Sequence, residues 1–368
     1  MSEDASTGAL RDAVPLGDVS RALVIMLRHH GDVLLASPVL SVLKAQAAGV
    51  EIDALVYDET APMLEGHPAL ARLHVVGRTW KNAGLFARLA REKRLYGALR
   101  ARQYSLIVHL TDQPRGAWLA RALGARYSVA PVAAGRGKFW SGSFTHLYPT
   151  AGNGRRHKVE ANLDALRRIG LQPGMEERRL CFVPGDAAEA RVDALLRTTG
   201  LQAGEFIHVH PASRWRFKCW PAQRNAELIE RLSTGTRVAL TAAPDAREMS
   251  FIEEVVSRTR AKPVNLAGQL SIKELGALTA RARLFIGVDS MPMHLAAAMG
   301  TPAVALFGPS GEQEWRPWRV AHRVVTSNHP CRPCGNDGCG GGKVSECLTT
   351  LGVEEVWAAA RELLARER

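Results

Sequence analysis

Apolar and polar positions along the first half of the chain follow two alternating periods. Nearly continuous apolar runs, typical of strands buried in a parallel sheet, occupy residues 21–27, 50–57, 73–77, 105–110 and 125–131. Stretches with helical periodicity lie between them, at residues 32–48, 81–102 and 114–123. This regular alternation of strand and helix predicts a parallel sheet covered by helices.

The same alternation starts again in the second half. Apolar runs at residues 205–213, 236–244, 263–268, 284–290 and 302–310 are separated by helical stretches at 222–232, 246–258, 271–282 and 292–299. A helix at residues 157–169 and the turn Gln172-Pro173-Gly174 connect the two halves. The two halves therefore share an architecture, although no repeat is evident at the level of residues.

These patterns predict an α/β protein of two Rossmann-like domains that face each other across a cleft and bind ligands at the carboxyl ends of their strands. We place the N-terminal domain at residues 1–172, with 1–20 as a loose polar tail, and the C-terminal domain at 173–350. Residues 351–368 are expected to form an amphipathic helix that packs back on the first domain. The length of 368 residues also suits two domains better than one core.

Composition adds a strong positive charge to this picture. Hydrophobic residues make up 46% of the chain and charged residues 23%, as in ordinary globular proteins, and no apolar stretch reaches the ~18 residues of a membrane span. The polar N-terminus lacks the basic start and apolar run of a signal peptide, which predicts a cytoplasmic protein. The net charge of +12 favours an anionic partner: nucleic acid, an anionic bilayer or a phosphorylated substrate.

The positive charge is concentrated in residues 81–102, where Glu92 is the single acid among seven Lys and Arg residues. Four leucines recur there at near-helical spacing: Leu85, Leu89, Leu95 and Leu99. The segment is a basic amphipathic helix that either packs its leucines on the core or rests on anionic lipid headgroups. The two interpretations are compatible.

The first motif with chemical potential directly follows the first apolar run. It reads Arg28-His29-His30-Gly31-Asp32. Asp32 lies where a helix begins, so it is either an N-cap residue or a general base for an acceptor hydroxyl. The three basic residues before it either bind anionic groups of an acceptor or only make the surface polar.

A second motif, residues 210–221, follows the first strand of the second series. Ser213, Arg214, Arg216 and Lys218 lie there beside a helix start. Hydroxyl and cationic groups in such a loop suit a diphosphate, because a departing nucleoside diphosphate needs its charge neutralised when no metal is present. The alternative is a solvated basic loop.

A third motif ends a buried strand with Asp289-Ser290 and enters a helix at once. The hydroxyl of Ser290 and the first helical amides are expected to bind an anion, with His294 one turn further on the same side. Gly308-Pro309-Ser310 ends the next strand and adds a second edge to this pocket. Since no G-x-G-x-x-G or G-x-x-x-x-G-K-[ST] motif is present, an NAD enzyme and a P-loop NTPase are disfavoured.

Four of the six cysteines cluster near the C-terminus with the spacing C-x2-C-x4-C-x7-C, at Cys331, Cys334, Cys339 and Cys347. They form either a metal site with four thiolate ligands or a set of reduced thiols. A cytosolic location disfavours a stable disulfide.

At these motifs the chain resembles the bacterial lipopolysaccharide heptosyltransferases, which form glycosyltransferase family 9 and have the GT-B fold. The resemblance covers almost the whole chain after residue 20. Its HHGD, LTDQ, FKCW and WRPW stretches are most similar to the heptosyltransferase III branch. The matching segments are residues 27–44, 104–113, 138–149, 217–221, 285–310 and 315–318.

The resemblance implies an inverting transfer of heptose from ADP-L-glycero-β-D-manno-heptose, with no metal or other cofactor and with Asp32 as general base. The implied donor-binding residues are Ser213, Arg214, Lys218, Asp289, Ser290, Met291 and His294, with Asp245 or Glu248 near the ribose. A Ser-Arg pair replaces the family's two threonines, and Met291 replaces a glycine. Charge and loop position give the expected acceptor-binding residues, which are Arg28, His29, His30, Arg115, Arg136 and Lys138.

The implied acceptor is a heptose of the lipopolysaccharide inner core, carried on a phosphorylated Kdo-lipid A precursor. The protein is accordingly expected to be peripheral on the inner face of the inner membrane and to bind no nucleic acid. Transfer of the first or second core heptose, and the use of another nucleotide sugar, are the alternatives within the family. A non-enzymatic nucleic-acid or metal-binding module is the alternative outside it, although aromatic stacking patterns for nucleic acid are missing.

Overall fold

The computed structural model of the protein describes residues 12–150 and 156–365. The chain divides into two compact units, Met1–Cys181 and Phe182–Arg368. Each unit contains one six-stranded sheet in which every pair of neighbouring strands is parallel.

The sheet of the first unit has the strand order β3-β2-β1-β4-β5-β6. Its strands are β1 (Arg21–Ile25), β2 (Glu51–Tyr57), β3 (Leu70–Val76), β4 (Leu106–His109), β5 (Tyr127–Pro131) and β6 (His146–Tyr148). The helices are α1 (His30–Leu34), α2 (Ser37–Gln46), α3 (Leu85–Arg100), α4 (Pro114–Leu123), α5 (Gly137–Ser141) and α6 (Lys158–Arg168). Short 3-10 turns lie at Leu16–Asp18, Asp58–Met63, Arg78–Asn82 and Glu176–Arg178.

The sheet of the second unit repeats this order as β12-β11-β10-β7-β8-β9. Its strands are β7 (Phe206–His210), β8 (Arg237–Leu240), β9 (Val264–Asn265), β10 (Leu284–Val288), β11 (Ala303–Leu306) and β12 (His322–Val325). The helices are α7 (Asp186–Thr199), α8 (Ala222–Ser233), α9 (Ala246–Ser257), α10 (Ile272–Arg281), α11 (Met291–Ala298), α12 (Glu312–Trp315), α13 (Glu346–Thr349) and α14 (Val353–Leu364). Two 3-10 turns occupy Arg216–Lys218 and Cys339–Gly341.

In both sheets the chain direction across the sheet reverses between the first and fourth strands of the unit. These switch points lie between β1 and β4 and between β7 and β10. Ligands of doubly wound sheets bind outside the carboxyl ends of the strands at such a point. The motifs that follow β1, β4, β7 and β10 are therefore brought together in pairs, and the predicted α/β class of two Rossmann-like domains is confirmed.

The helix predicted at residues 32–48 is divided into α1 and α2. Pro38 lies in the first turn of α2, where its missing N–H costs no helical hydrogen bond. A continuous helix would place the proline ring against the carbonyl of the residue four positions earlier, so the chain breaks at Leu35 and Ala36. Asp32 consequently lies within the first turn of α1, and His29 occupies the N-cap position, so the N-cap interpretation of Asp32 was wrong.

The ends of the predicted domains differ from those of the structure. Residues 1–11 of the expected loose tail lie outside the described residues, but Val14 and Val19 are buried and the Val14 amide donates to the Ile169 carbonyl. The first unit extends to Cys181 rather than 172, because the Gln46 side chain binds Glu177 and the Ser37 hydroxyl accepts from the Cys181 amide. This segment is therefore packed on α2.

The C-terminal helix packs within the second unit, which differs from the predicted packing on the first domain. Its buried face joins the same hydrophobic core as β7, β8 and β10. This face consists of Val353, Val356, Ala360 and Leu363. The predicted helical segment also included residues 366–368, which lie outside the described residues.

The second unit contains a buried chain of histidine and threonine side chains. The Thr241 hydroxyl lies 2.7 Å from His208 Nε2 and 2.8 Å from His210 Nδ1, and the Thr279 hydroxyl lies 3.1 Å from His208 Nδ1. Burial lowers the pKa of His208 and that of His210 to about 3. Both rings are therefore neutral at neutral pH, at the end of the strand that leads into the second motif.

Candidate functional site

A basic pocket of about 330 Å³ lies at the carboxyl edge of the first sheet. The ends of β1, β2 and β3 contribute to it, together with one face of α3 and the start of α4. Its lining residues are Leu27, Arg28, His29, Tyr57, Val76, Gly77, Arg78, Trp80, Arg88, Glu92, Gln113 and Arg115. Four arginines and one carboxylate give the pocket a strong positive potential that suits an anionic ligand.

The four arginines of this pocket differ in how firmly they are held. Arg115 forms a bidentate ion pair with Glu92, with N–O distances of 3.0 and 2.5 Å. This ion pair joins α4 to α3. Arg78 lies 2.9 Å from Glu59 and covers the ring of Tyr57. Within the part of the chain that the structure describes, Arg88 has no ion-pair partner, so its charge is available to a ligand.

Three of the six residues predicted to bind the acceptor line this pocket, namely Arg28, His29 and Arg115. His30 does not, because its Nε2 lies 2.7 Å from the Glu59 carbonyl. Arg136 and Arg28 both lie 3.8 Å from Asp112, which follows β4. Lys138 is exposed on α5, away from the pocket lining.

Sequence reasoning missed Arg78 and Arg88 as pocket residues. Arg78 follows β3 at the same carboxyl edge as Arg28, and this position was a usable signal. Arg88 belongs to the basic segment, whose charge was noted, but only the packing of α3 beside the pocket selects this arginine among its neighbours.

Asp32 is partly exposed in the first turn of α1, directly after the strand end that carries Arg28. Among the described residues, none donates a hydrogen bond or forms an ion pair with its carboxylate. This carboxylate is therefore available to a ligand.

The two halves of α3, the helix of the basic segment, differ in burial. Leu95 and Leu99 are buried in the core, whereas Leu85 is 66%, Phe86 87% and Leu89 55% exposed. The last basic residue, Arg102, is structural, because it binds the buried carboxylate of Asp53 at 2.7 Å. Burial opposes the charge of Asp53, but hydrogen bonds from His74, Arg102 and Tyr104 hold its pKa below the usual range.

In the second unit, an ion pair connects the two sides of the switch point. Lys218, in the loop after β7, lies 2.6 Å from Asp289, the residue that follows β10. Both were predicted to bind the donor, and the structure brings them together with Asp289 buried. The Ser213 hydroxyl accepts from the Trp215 amide, and Arg214 is exposed over the Trp215 ring. Trp220 belongs to the core.

The structure separates the two acids proposed near the ribose. Asp245 caps α9, because its carboxylate accepts from the amides of Arg247 and Glu248. Glu248 is buried, accepts from the Ala243 amide at 3.0 Å, and lines a second pocket of about 190 Å³. Burial raises the pKa of Glu248. Glu248 is thus the acid of this pair that lies at the pocket.

The third motif opens α11 at the same edge of the sheet. Ser290 takes the N-cap position, where its hydroxyl donates to the Val288 carbonyl at 3.3 Å, and Met291 is the first helical residue. His294 is buried one turn later, with its ring 6.3 Å from that of Trp315. The first amides of α11 follow Asp289 and Ser290 closely, and helix starts of this kind are suited to bind anions.

The four clustered cysteines lie on one loop, residues 327–347, which we call the cysteine loop. All are free thiols, and among the described residues no group of three or more His, Cys, Asp and Glu side chains is arranged to hold a metal ion. The loop packs on the exit of β11, because the amides of Cys334 and Gly335 donate to the Pro309 carbonyl. The Gly308-Pro309-Ser310 edge is therefore covered by the cysteine loop.

No helix in the described ranges, residues 12–150 and 156–365, is long and apolar enough to cross a bilayer.

Comparison with known proteins agrees with this geometry. The family model described as "Glycosyltransferase family 9 (heptosyltransferase)" matches residues 93–344. Lipopolysaccharide heptosyltransferase 3 of Escherichia coli K12 is 36% identical over 297 residues, which cover 79% of this chain and 83% of the relative.

Two solved structures share the fold at lower identity. A glycosyl transferase of family 9 from Veillonella parvula superimposes with a TM-score of 0.80 at 22% identity, covering 97% of this chain and 99% of the other. Escherichia coli heptosyltransferase WaaC with ADP-2-deoxy-2-fluoro heptose gives a TM-score of 0.68 at 20% identity, with coverage of 93% and 99%. The likeness confirms the GT-B fold. On the family match and the shared sequence, the chain belongs to glycosyltransferase family 9 and is a glycosyltransferase.

Proposed function

We propose that the protein transfers L-glycero-D-manno-heptose from ADP-heptose to a heptose of the lipopolysaccharide inner core of a Gram-negative bacterium. The observation that carries this proposal is the ion pair of Lys218 and Asp289 beside the start of α11. This arrangement supplies a cation, helix amides and a carboxylate where a nucleotide sugar binds in such a sheet. The name of the E. coli K12 relative and the ligand of WaaC support the acceptor and the donor.

In the proposed reaction, Asp32 accepts the proton of the acceptor hydroxyl as its oxygen attacks the anomeric carbon. The new carbon–oxygen bond forms on the face opposite ADP, the bond to the β-phosphate oxygen breaks, and the configuration inverts. The electron pair of that bond leaves with ADP. An unpaired carboxylate is suited to this role, because it has no hydrogen bond that must be broken first.

The departing diphosphate gains negative charge that the protein must stabilise. Lys218 provides a compact cation, and Arg214, in the same loop, adds a second positive charge. The hydroxyls of Ser213 and Ser290 and the first amides of α11 provide hydrogen bonds. His294 borders this anion site. We propose that these groups suffice without a metal ion or another cofactor, and that Asp289 orients Lys218 toward the diphosphate.

The acceptor is anionic, since it carries phosphate groups and Kdo carboxylates. We propose that the basic pocket of the first unit binds it, with Arg28, Arg88 and Arg115 as its charged contacts. The exposed Leu85, Phe86 and Leu89 lie on the same helix as Arg88, so the first half of α3 is suited to rest in anionic headgroups. This contact would hold the enzyme as a peripheral protein on the cytoplasmic face of the inner membrane, with no nucleic-acid partner.

Calorimetric titration with ADP, UDP and NAD, with EDTA present throughout, tests the donor and the absence of metal together. Selective binding of ADP is the expected result. Binding of UDP alone would assign another nucleotide sugar. A second assay uses ADP-heptose with core acceptors that carry zero, one or two heptoses, and it distinguishes transfer of the first, second or branching heptose. Activity only on the acceptor with two heptoses supports the proposal.

A further inference from the structure

The pocket of about 190 Å³ in the second unit is lined in part by a residue that lies far along the chain from the others. Its other residues come from the loop after β7 and the start of α9, among them Ser213, Arg216, Arg247 and Glu248. The additional wall residue is Lys343, from the cysteine loop. The cysteine loop therefore does not only cover the exit of β11 but also reaches the loop that carries Lys218.

Lys343 is held at this pocket by a turn with special backbone requirements. Its φ of 57° lies in the left-handed region, which non-glycine residues rarely occupy unless surrounding bonds support it. The support comes from Gly338, where a Cβ atom would lie 2.8 Å from the Lys343 backbone, and from the Cys339 amide, which donates to the Val344 carbonyl at 2.7 Å. The turn thus fixes the position of the lysine backbone closely.

The same turn is anchored to the proposed diphosphate loop. The buried Ser345 hydroxyl donates to the Phe217 carbonyl at 2.6 Å, directly before Lys218 in the chain. The Lys343 ammonium lies 6.0 Å from the centre of the Phe217 ring. Its ion-pair partner is Asp337 at 3.1 Å, and both side chains are about 60% exposed, with values of 63% and 60%. Such a surface pair is weak, so the ammonium group is easily drawn to a stronger anion.

We propose that Lys343 is a donor-binding residue, which the cysteine loop supplies to the diphosphate of the nucleotide sugar. The inference rests on the proposed function, since it assumes that the nucleotide binds beside Lys218. It assigns the second motif and the cysteine loop to one site, although more than 120 residues separate Lys343 from Lys218 (343 − 218 = 125). The ligand class is a nucleoside diphosphate, and the recognised group is the diphosphate rather than the base.

The test is calorimetric binding of ADP and of adenosine to the full-length protein and to four variants. Lys343→Ala is expected to weaken ADP binding about five- to tenfold, the size of one partly exposed charge-assisted contact, and to leave adenosine binding unchanged. Lys343→Arg retains the charge and should restore most of the affinity. Lys262→Ala serves as the matched control. It removes an exposed lysine at the amino end of β9, whereas the pocket lies at the carboxyl ends of the strands of the same sheet.

Lys218→Ala distinguishes the failure of this inference from failure of the proposed function. If Lys218→Ala weakens ADP binding while Lys343→Ala does not, the donor site stands and the role of Lys343 is wrong. An equal loss of ADP and adenosine in Lys343→Ala would also overturn the inference, because a contact to the diphosphate cannot affect adenosine. If the unaltered protein binds no ADP, both the proposed function and the inference fail.

Discussion

The switch points of the two units have the same place in the sheet but hold their charges differently. In the first unit, Arg28 and Asp112 lie 3.8 Å apart with side chains that are 46% and 50% exposed. In the second unit, Lys218 and Asp289 lie 2.6 Å apart with exposures of 24% and 7%. Identical strand order therefore sets where charged groups meet, whereas burial decides how rigidly they are held.

This difference suits the two proposed ligands. A diphosphate has the same shape in every catalytic cycle, so a fixed cation loses little entropy when it binds. An acceptor that is anchored in a membrane arrives with a large and variable anionic headgroup. Arginines such as the loosely paired Arg28 and the unpaired Arg88 can follow such a group, at the expense of affinity for each contact.

The strongest test of the comparison is Asp32→Asn, because it removes the proposed base and leaves the second unit intact. Turnover should fall about 10²- to 10⁴-fold, the usual contribution of general base catalysis, with ADP affinity unchanged. Steady-state kinetics and calorimetry measure the two effects. Turnover near that of the unaltered enzyme would show that Asp32 is not the base.

Lys218→Ala should give the opposite pattern. Loss of a charge-assisted contact in a mostly buried site is expected to weaken ADP binding about 10- to 100-fold. The variant also leaves Asp289 without its cation, so its thermal unfolding must be compared with that of Lys262→Ala. ADP affinity equal to that of the control would refute the role of Lys218.

Acid should destabilise the second unit through His208 and His210. Their folded pKa of about 3 lies below the unfolded value of about 6.5, so the unfolded chain binds protons first as pH falls. The contribution of the neutral rings to the free energy of unfolding is fully present above pH 6.5 and is lost progressively toward pH 3. At pH 5 the loss is about 2 kcal/mol per histidine. Hydrogen exchange of peptides that contain β7, measured at pH 7.5 and pH 5, should show the loss.

His109 provides the corresponding case in the first unit. It is fully buried against Trp140 and Phe144, and burial lowers its pKa to about 4. His109→Gln should reduce the acid sensitivity of peptides from β4 and leave that of β7 unchanged. Equal changes in both units would indicate that acid unfolds the chain as one cooperative body.

A smaller effect is expected for Arg88→Ala in the basic pocket. The KM for a deacylated, water-soluble core acceptor should rise about tenfold, while ADP affinity stays constant. Arg94→Ala is the matched control, because Arg94 is exposed on the same helix and does not line the pocket. Similar KM values for the two variants would remove Arg88 from the acceptor site.

The smallest effect should come from the exposed apolar end of α3. Phe86→Ser is expected to reduce partitioning onto vesicles of anionic phospholipid about threefold, with no change in activity on the soluble acceptor. Met175→Ser replaces another exposed apolar residue of the first unit, 62% exposed against 87% for Phe86, and is the control. Unchanged vesicle binding of Phe86→Ser would contradict the proposed membrane contact.

Most of the fold could be predicted from sequence because both sheets are parallel and buried. Ten of the strands follow apolar runs such as residues 105–110, whose interior became β4. β6 and β12 were missed, since each is a short edge strand with polar residues in it. α7 was missed although its buried Ala188, Val192 and Leu195 have helical spacing, because the surrounding charges obscured the pattern.

The position of a candidate residue at the carboxyl edge of a sheet could be predicted where its motif directly follows a strand, as at Asp32 and at Asp289. It could not be predicted where tertiary packing chooses among equivalent residues. The basic segment contains many arginines. Arg88 is distinguished from the others only because it lines the pocket together with residues at the ends of β1 and β3. The position of Lys343 depends on a turn anchored at Phe217, a relation that no local pattern contains.

The buried histidine and threonine chain of the second unit has a single possible direction. The Thr279 hydroxyl donates to the Leu275 carbonyl at 2.6 Å, so its oxygen can only accept from His208 Nδ1. His208 is neutral, and its bare Nε2 must then accept the one proton of the Thr241 hydroxyl, whose oxygen in turn accepts from His210 Nδ1. A carbonyl on α10 thereby selects the tautomer of His210 through three intervening side chains, and it leaves a lone pair on Nε2 of His210.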